Sequence, residues 1–240
     1  MGGFFIGCEY LLWITMKITF SLLVCSALFL SACSSTQRAY KQNIELYFSS
    51  KQSVTLTKDI VLETPIDLIY IKAGERPYAT MALAFIENSR YKWVSADNAV
   101  LVTQNGRLVR TLGLKNNLIY VANLDTDPMV SKSDVAENAN WNSYLDFDPH
   151  QYGVRLYSEF KRQENIPLTI LDQQFTTTKV IENVTTQSVE TASDSWQNVY
   201  WYHTQTGQLL RSSQQFSGSS ERYEIQYVSR AMRLLESTHE

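Results

Sequence analysis

The sequence predicts an all-β fold, mainly antiparallel, with curved or half-barrel meander sheets, an N-terminal helix and, as an option, a short C-terminal helix. Alternating apolar and polar runs flank Asn105-Gly106, a dipeptide that suits a type I′ hairpin turn. No helical intervals separate the strand-like runs, which disfavours a parallel βαβ sheet. No repeat of about 20–50 residues stands out, which disfavours a propeller or solenoid. Because long twisted meanders tend to curl, we expect a curved sheet.

The N-terminal region has the pattern of a secretory signal over residues 1–32. Met16 and Lys17 give a positive start, an apolar run continues to Leu30, and small residues precede Cys33. The apolar run is shorter than the roughly 20 residues needed to span a bilayer. Residues 1–15 have no basic residue, so we predict Met16 as the initiator and exclude residues 1–15 from fold reasoning.

Cys33 is the predicted lipid attachment site. The run "LSAC" resembles a bacterial lipobox, in which the cysteine thiol is acylated, with palmitate for example, and the chain is cut before it. An ordinary cleavage site with a chance cysteine is the alternative. Several acyl chains give stable anchoring, since each buried CH₂ contributes about 0.8 kcal/mol. The resemblance, with Ser34 rather than aspartate after the cysteine, favours the outer membrane and its periplasmic side.

The mature chain, residues 33–240, is predicted as one β-rich domain. Cys8 and Cys25 leave with the signal and Cys33 is acylated, so no disulfide or thiolate site is expected. A formal net charge of −3 gives no basic footprint for nucleic acid.

The first element of that domain is predicted to be an amphipathic helix over residues 37–48. Apolar side chains recur there at helical spacing; they are Tyr40, Ile44, Tyr47 and Phe48. Packing on a sheet is favoured over binding to a membrane surface.

A strand and a meander follow the helix. The strand, "IDLIYIKAG", ends at Gly74, and the meander covers residues 78–114. Turns are expected near Asn88-Ser89, at 96–98 and at Asn105-Gly106. Arg107, directly after the last turn, is expected to be solvated.

The polar interval near 123–143 is predicted to be a loop, or a linker between two subdomains. Strand-like runs resume after it, and Thr206-Gly207 is predicted to turn another hairpin. The late run "SRAMRLLE" is the predicted C-terminal helix.

No enzymatic constellation emerges. Asp146, Asp148 and His150 occupy alternate positions, so on a strand they would share one face and could bind a metal. Pro149 breaks that strand, however, and favours a carboxylate-rich turn. No carboxylate pair is singled out for glycoside cleavage, and neither a nucleophile elbow nor a phosphate-binding glycine loop occurs. We therefore expect no catalysis, no metal and no cofactor.

The aromatic residues are better candidates for binding. Trp141, Trp201, Tyr200 and Tyr202 could stack on sugar rings or contact a partner protein. In the run "NVYWYH", Tyr200 and Tyr202 share one strand face and Trp201 takes the other. The competing interpretation is that these side chains fill the core or a protein interface.

The mature chain resembles the YjbF/GfcB family of capsule- and exopolysaccharide-associated lipoproteins. The runs "WVSAD" and "NGRLVRT" and the lipobox carry the resemblance. It implies an outer-membrane lipoprotein whose partners are an outer-membrane β-barrel and periplasmic secretion proteins. The implied function is a non-enzymatic accessory role in extracellular or capsular polysaccharide production or secretion.

The alternative function is a carrier or binding module that holds a glycan or acyl chain in a concave sheet face. The run "YWYHTQTGQLLRS" is similar to a hairpin of periplasmic lipoprotein-carrier folds, which are open half-barrels with an apolar concave face.

Overall fold

A computed structural model describes residues 55–148, 151–187, 194–217 and 220–237, all within one compact unit. Two helices lie near the ends of this region, α1 Lys58–Glu63 and α2 Val228–Ser237. The strands are β1 Leu68–Ala73, β2 Ala79–Glu87, β3 Arg90–Ser95, β4 Val100–Gln104, β5 Arg107–Leu112, β6 Asn117–Val121, β7 Asn140–Asp148, β8 Gln151–Ile170, β9 Gln173–Gln187, β10 Ser195–His203, β11 Leu209–Gln214 and β12 Tyr223–Gln226. A short 3₁₀ segment, Pro128–Asp134, lies between β6 and β7.

The twelve strands form one antiparallel sheet in the order β5-β4-β3-β2-β1-β12-β11-β10-β9-β8-β7-β6. Two meanders therefore meet where β1 pairs with β12, with Tyr70 opposite Gln226. The outermost strands, β5 and β6, approach each other, and the Leu118 N–H donates to Thr111 Oγ1 at 2.9 Å. The sheet is nearly closed and barrel-like, which confirms the predicted all-β, curved antiparallel fold.

The tight turns follow the sequence prediction at three places. Asn105 and Gly106 have φ angles of 50° and 87°, and Asn88 and Ser89 have φ angles of 50° and 62°. Both pairs are positive, as a type I′ turn requires. Gly207, with φ of 63°, turns the β10–β11 hairpin. The sequence analysis missed the turn at Leu171-Asp172, where φ is 46° and 62°, because leucine seldom adopts such angles.

The two helices contact each other, and α2 also contacts β1 and β11 near the middle of the strand order. Thr57 caps α1 by accepting a hydrogen bond from the Ile60 N–H. Helix α2 is joined to β1, because the Leu68 N–H donates to Ser229 Oγ at 2.8 Å. The predicted C-terminal helix is confirmed, whereas the helix predicted over residues 37–48 lies outside the described residues.

The polar interval at 123–143 is not uniformly exposed. Met129 and Val135, within it, are 0 % and 2 % exposed and belong to the main core. The loop therefore contributes apolar side chains to the inside of the sheet. A division of the domain near 123–143 stays a prediction.

Within the described ranges, no helix combines the length and apolar character needed to cross a bilayer.

Candidate functional site

A charged cluster lies inside the curved sheet. Arg107 donates to both carboxylate oxygens of Asp127, at 2.6 Å through Nε and 3.0 Å through Nη2. Its Nη1 donates to Glu182 Oε2 at 2.9 Å. The three side chains are 7 %, 2 % and 1 % exposed. We call Arg107, Asp127 and Glu182 the inner cluster.

Polar neighbours satisfy the carboxylates of the inner cluster. Ser158 Oγ donates to Glu182 Oε1 at 2.8 Å, and Asn198 Nδ2 donates to Glu182 Oε2 at 3.0 Å. The Met129 N–H donates to Asp127 Oδ1 at 3.0 Å. Buried charges cost several kcal/mol each unless they are paired and hydrogen-bonded. These contacts explain how the cluster is accommodated in the interior.

Three separate parts of the chain supply the inner cluster. Arg107 begins β5 directly after the type I′ turn, Asp127 caps the 3₁₀ segment, and Glu182 lies on β9. Gln214 on β11 fixes the turn, because its amide nitrogen donates to Gly106 O at 2.8 Å and its amide oxygen accepts from the Leu108 N–H at 2.9 Å. The hairpin is therefore docked against the opposite part of the sheet.

The electrostatics of the inner cluster keep Arg107 charged. Burial alone would lower the pKa of Arg107, but the Asp127 and Glu182 carboxylates outweigh burial and hold that pKa well above its ordinary value. Burial raises the pKa of Tyr200, whose hydroxyl lies 3.3 Å from Glu182 Oε2. The tyrosine therefore remains a neutral hydrogen-bond donor.

The expectation that Arg107 is solvated was wrong. The residue is 6 % exposed, and its guanidinium lies 4.2 Å from the ring centroid of Trp141. The sequence pattern placed the turn correctly but carried no information on what the turn packs against.

The inner cluster offers little room for a substrate. A void of about 20 Å³ lies beside Arg107, Trp141 and Glu182, which is space for about one water molecule. The hydrogen-bonding groups of the cluster are already engaged with one another. The arrangement therefore fits a buried structural centre.

Metal ligands do not come together in the described part of the chain, where no group of three His, Cys, Asp or Glu side chains has suitable geometry. Asp146 and Asp148 alternate with buried residues along β7, and Asp146 Oδ1 accepts from the Gly153 N–H at 2.7 Å. His150 lies outside the described residues.

A second, more exposed cluster lies across β9, β10, β11 and β12. Trp201 is opposite Lys179 on one side and Arg211 on the other. The Arg211 guanidinium is 5.2 Å from the Trp201 ring centroid, and its Nη2 donates to Glu224 at 2.8 Å. We call Lys179, Trp201, Arg211 and Glu224 the outer row.

The four predicted contact residues are divided between the two sides of the sheet. Trp141, Tyr200 and Tyr202 are 3 %, 0 % and 1 % exposed and belong to the core, so their rings cannot stack on a glycan in this conformation. Along β10, the buried Tyr200 and Tyr202 alternate with Trp201, in agreement with the predicted faces. Trp201, which is partly exposed, remains the candidate contact. Cys33 lies outside the described residues.

Residues 41–228 match the family described as "Group 4 capsule polysaccharide lipoprotein gfcB, YjbF". The chain belongs to the YjbF/GfcB family. It is 30 % identical to the "Uncharacterized lipoprotein GfcB" of Escherichia coli K12 over 78 % of this chain and 87 % of that protein. It is 32 % identical to the "Uncharacterized lipoprotein YjbF" of the same organism, over 85 % and 93 % of the two chains.

A solved structure agrees with this membership. The crystal structure of the hypothetical lipoprotein YmcC from Escherichia coli K12 superimposes with a TM-score of 0.67 and 28 % identity. The similarity covers 72 % of this chain and 88 % of that chain. Membership confirms the resemblance drawn from the sequence and links the chain to group 4 capsule polysaccharide and to membrane anchoring as a lipoprotein.

Sequence reasoning missed Asp127 and Glu182 as partners of Arg107. Asp127 is followed by Pro128, a combination typical of a helix N-terminus, and that signal could have identified it as a cap. Glu182 stands within a long strand run, and its alternation with the buried Val180 and Val184 was the available signal for an inward carboxylate.

Proposed function

We propose that the protein is an outer-membrane lipoprotein, held by acyl chains on Cys33 at the periplasmic side, that serves as a non-enzymatic accessory factor in capsular or extracellular polysaccharide production or secretion. The family match over residues 41–228 is the observation that carries this proposal. The lipobox pattern at residues 30–33 supports the mode of anchoring.

The geometry of the interior supports a non-enzymatic role. The buried charged groups of the inner cluster are paired with one another at 2.6–3.0 Å. Catalytic acids and bases need access to a substrate, whereas the space beside these groups is about 20 Å³. The cluster holds a loop and a hairpin in place.

The proposed partners are an outer-membrane β-barrel and periplasmic secretion proteins. The outer row supports a protein contact because it presents a tryptophan and an arginine, two residue types enriched at binding hot spots. Arg211 and Glu224 are 27 % and 29 % exposed, which leaves both reachable from solvent.

The carrier alternative is supported only in part. The void beside Arg107 is too small for an acyl chain, and the side chains around it are core residues. A glycan carried by this protein would therefore have to bind outside the inner cluster.

A pair of lipobox variants tests the anchoring. Cys33→Ala should prevent acylation and leave the chain uncleaved or soluble in the periplasm, whereas Cys25→Ala, within the apolar run, should be processed normally. Labelling with a clickable palmitate analogue and membrane fractionation measure both. Wild-type protein that is membrane-bound without a lipid, with residues 1–32 intact, would contradict the proposal.

Crosslinking in intact envelopes tests the accessory role. Wild-type protein should capture a barrel protein and periplasmic partners, and Cys33→Ala should capture less of the barrel. Deletion of the gene should lower the yield of capsular or extracellular polysaccharide, and the wild-type gene should restore it. An unchanged yield after deletion would refute the accessory role.

A further inference from the structure

A groove of about 550 Å³ opens at one end of the sheet, and none of the outer-row residues is among the described residues that line it. It lies between the β2–β3, β4–β5 and β10–β11 turns, the 3₁₀ segment and the start of α2. Its volume falls in the range of about 300–1,000 Å³ that is usual for small-molecule sites. We call it the end groove.

The charge of the end groove is one-sided. Lys132 and Arg230 line it, and none of the other described residues that line it is an aspartate or glutamate. Lys132 is exposed, and no ion pair joins either cation to a carboxylate in the described ranges. Arg230 Nη1 donates to Leu209 O at 2.8 Å, which holds this cation at the edge of the groove. An anionic ligand would supply the missing counter-charge.

Two buried phenols line the end groove, and one of them, Tyr202, has no hydrogen-bond partner for its hydroxyl among the described residues. Tyr202 and Tyr227 line the groove and are 1 % and 3 % exposed. The Tyr227 hydroxyl interacts with the side chains of Thr103 and Ser212, which leaves Tyr202 as the unpaired phenol. A buried, unpaired polar group destabilises the folded protein. Such a group is unusual in a folded protein and indicates a ligand or water that completes it.

The phenols are suited to donate hydrogen bonds. Burial raises the pKa of both Tyr202 and Tyr227, so both remain protonated at neutral pH. The amide side chains of Asn105 and Gln208 add donors and acceptors at the rim, and Tyr91 adds an aromatic ring. Aromatic rings can stack on the apolar face of a sugar, and amides and hydroxyls can hydrogen-bond to its hydroxyl groups.

The backbone at Lys132 is also unusual. Its φ of 55° and ψ of −120° lie outside the regions that a lysine ordinarily adopts. Conformations of this kind are strained and cluster at functional sites. The strain is located at the residue that carries a cation to the groove.

We propose that the end groove binds an acidic saccharide, in which Lys132 and Arg230 pair with sugar carboxylates and the groove's hydroxyl and amide groups bind sugar hydroxyls. The proposal rests on the proposed function and deepens it, because it assigns a ligand class to a polysaccharide-associated lipoprotein. Carboxylates are favoured over apolar ligands because two cations without counter-ions line the site.

The test uses the full-length protein, purified from membranes in detergent, and isothermal titration calorimetry. The probe is an oligogalacturonate of four to six residues, and its fully methyl-esterified form is the uncharged match. We expect the acid to bind and the ester to bind at least tenfold more weakly. Binding of the acid should also weaken as salt increases, because screening reduces charge–charge attraction.

Matched variants identify the groove. Lys132→Gln and Arg230→Gln should each lower the affinity for the acid about ten- to hundredfold, the range of one charge-assisted hydrogen bond. Lys115→Gln removes an exposed lysine outside the groove and should leave the affinity unchanged. Equal binding of acid and ester, no binding of either, or equal loss in Lys115→Gln would overturn the proposal.

A tyrosine variant separates ligand binding from a structural role. Tyr202→Phe should leave the free protein's melting temperature unchanged or raised, since the hydroxyl has no partner to lose, and should weaken binding of the acid. A fall in melting temperature with unchanged affinity would assign the hydroxyl a structural role and contradict the proposal. A titration with inorganic phosphate tests which anion the groove prefers. If phosphate binds more tightly than the oligogalacturonate, the ligand group is a phosphate and the assignment to a sugar carboxylate is overturned.

Failure here is distinguishable from failure of the accessory role. If the gene deletion lowers polysaccharide yield but neither sugar probe binds, the accessory role stands and the groove proposal falls. If the acid binds as expected but deletion leaves the yield unchanged, the groove proposal stands and the accessory role falls.

Discussion

Two arginines of this sheet each lie over a tryptophan ring and pair with a carboxylate, one inside the curve and one on the surface. Arg107 lies 4.2 Å from the Trp141 ring centroid, and Arg211 lies 5.2 Å from that of Trp201. The chemical groups are the same. The Arg107 side chain is 7 % exposed, while that of Arg211 is 27 % exposed.

The difference in exposure assigns the two clusters different tasks. A buried ion pair is costly to break because the remaining charge has no water around it. An exposed pair contributes about 0–1 kcal/mol because water replaces either partner. The inner cluster is therefore costly to disrupt, whereas the outer row, to which the proposed function assigns partner contacts, can change at little cost in stability.

The largest expected effect is that of Arg107→Ala. It leaves Asp127 and Glu182 buried without their cation, and we expect a loss of about 3–5 kcal/mol in the free energy of unfolding. Urea unfolding followed by tryptophan fluorescence measures it. Arg211→Ala is the matched control, with an expected loss below about 1 kcal/mol. Equal losses in the two variants would show that burial does not distinguish the clusters.

A smaller loss is expected for Gly106→Ala, which tests the docking of the hairpin that carries Arg107. A Cβ at this position would lie 2.4 Å from Leu209 Cδ2 and would also occupy a φ of 87°. We expect a cost of about 2–3 kcal/mol from overpacking and backbone strain together.

Gly153→Ala is the control for the glycine experiment. Gly153 has a φ of 64°, and nothing lies within 4 Å of a Cβ built there. Only the backbone cost of about 1 kcal/mol should remain. If the two alanine variants melt alike, the inner hairpin is held by its turn alone and its docking adds nothing.

Alkaline pH should weaken the interior before it affects the outer row. Burial raises the pKa of Tyr200, Tyr202 and Tyr227, whose ordinary value is 10.0. Above that pH the unfolded chain has lost phenolic protons that the folded chain retains, so the free energy of unfolding falls as pH rises. Each such tyrosine contributes a slope of about 1.4 kcal/mol per pH unit there.

Urea unfolding at pH 9, 10 and 11 measures this slope. Tyr202→Phe should reduce the slope by the contribution of one buried tyrosine, about 1.4 kcal/mol per pH unit. Tyr152→Phe, at a residue that is 66 % exposed, is the control and should leave the slope unchanged. A slope that is the same in the wild type and Tyr202→Phe would mean that Tyr202 is not protected in the folded state.

The smallest expected effect on stability is that of Trp201→Ala. Loss of its contacts with Lys179 and Arg211 should cost less than about 1 kcal/mol, as measured by urea unfolding. The same variant should lower crosslinking to partner proteins in intact envelopes. A large loss of stability with unchanged crosslinking would assign the outer row to the fold and not to recognition.

The sequence was informative where structure is decided locally. The Asn105-Gly106 turn follows from the φ preferences of two adjacent residues and the alternation around them. The partners of Arg107 could not be predicted in that way, because Asp127 and Glu182 are 20 and 75 residues away in the chain. Pairing over such distances is set by how the sheet curves.

The candidate site was harder to predict than the fold for the same reason. The alternation along β10 gave the correct faces for Tyr200, Trp201 and Tyr202, but a period of two does not say which face is enclosed. The end groove combines turns from both meanders with the start of α2, so no continuous stretch of sequence displays it.

The pairing of β1 with β12 has a consequence for the order in which the fold is assembled. Strands β1–β5 and strands β6–β11 can each form hairpin by hairpin as a chain emerges N-terminus first, because successive strands are neighbours. Joining the two meanders requires residues 223–226, which emerge late. Contacts of such long sequence separation form slowly, since a large loop must close before they stabilise anything. Until residues 223–226 are available, β1 and β11 each present an unpaired edge, and such edges are templates for pairing with other chains.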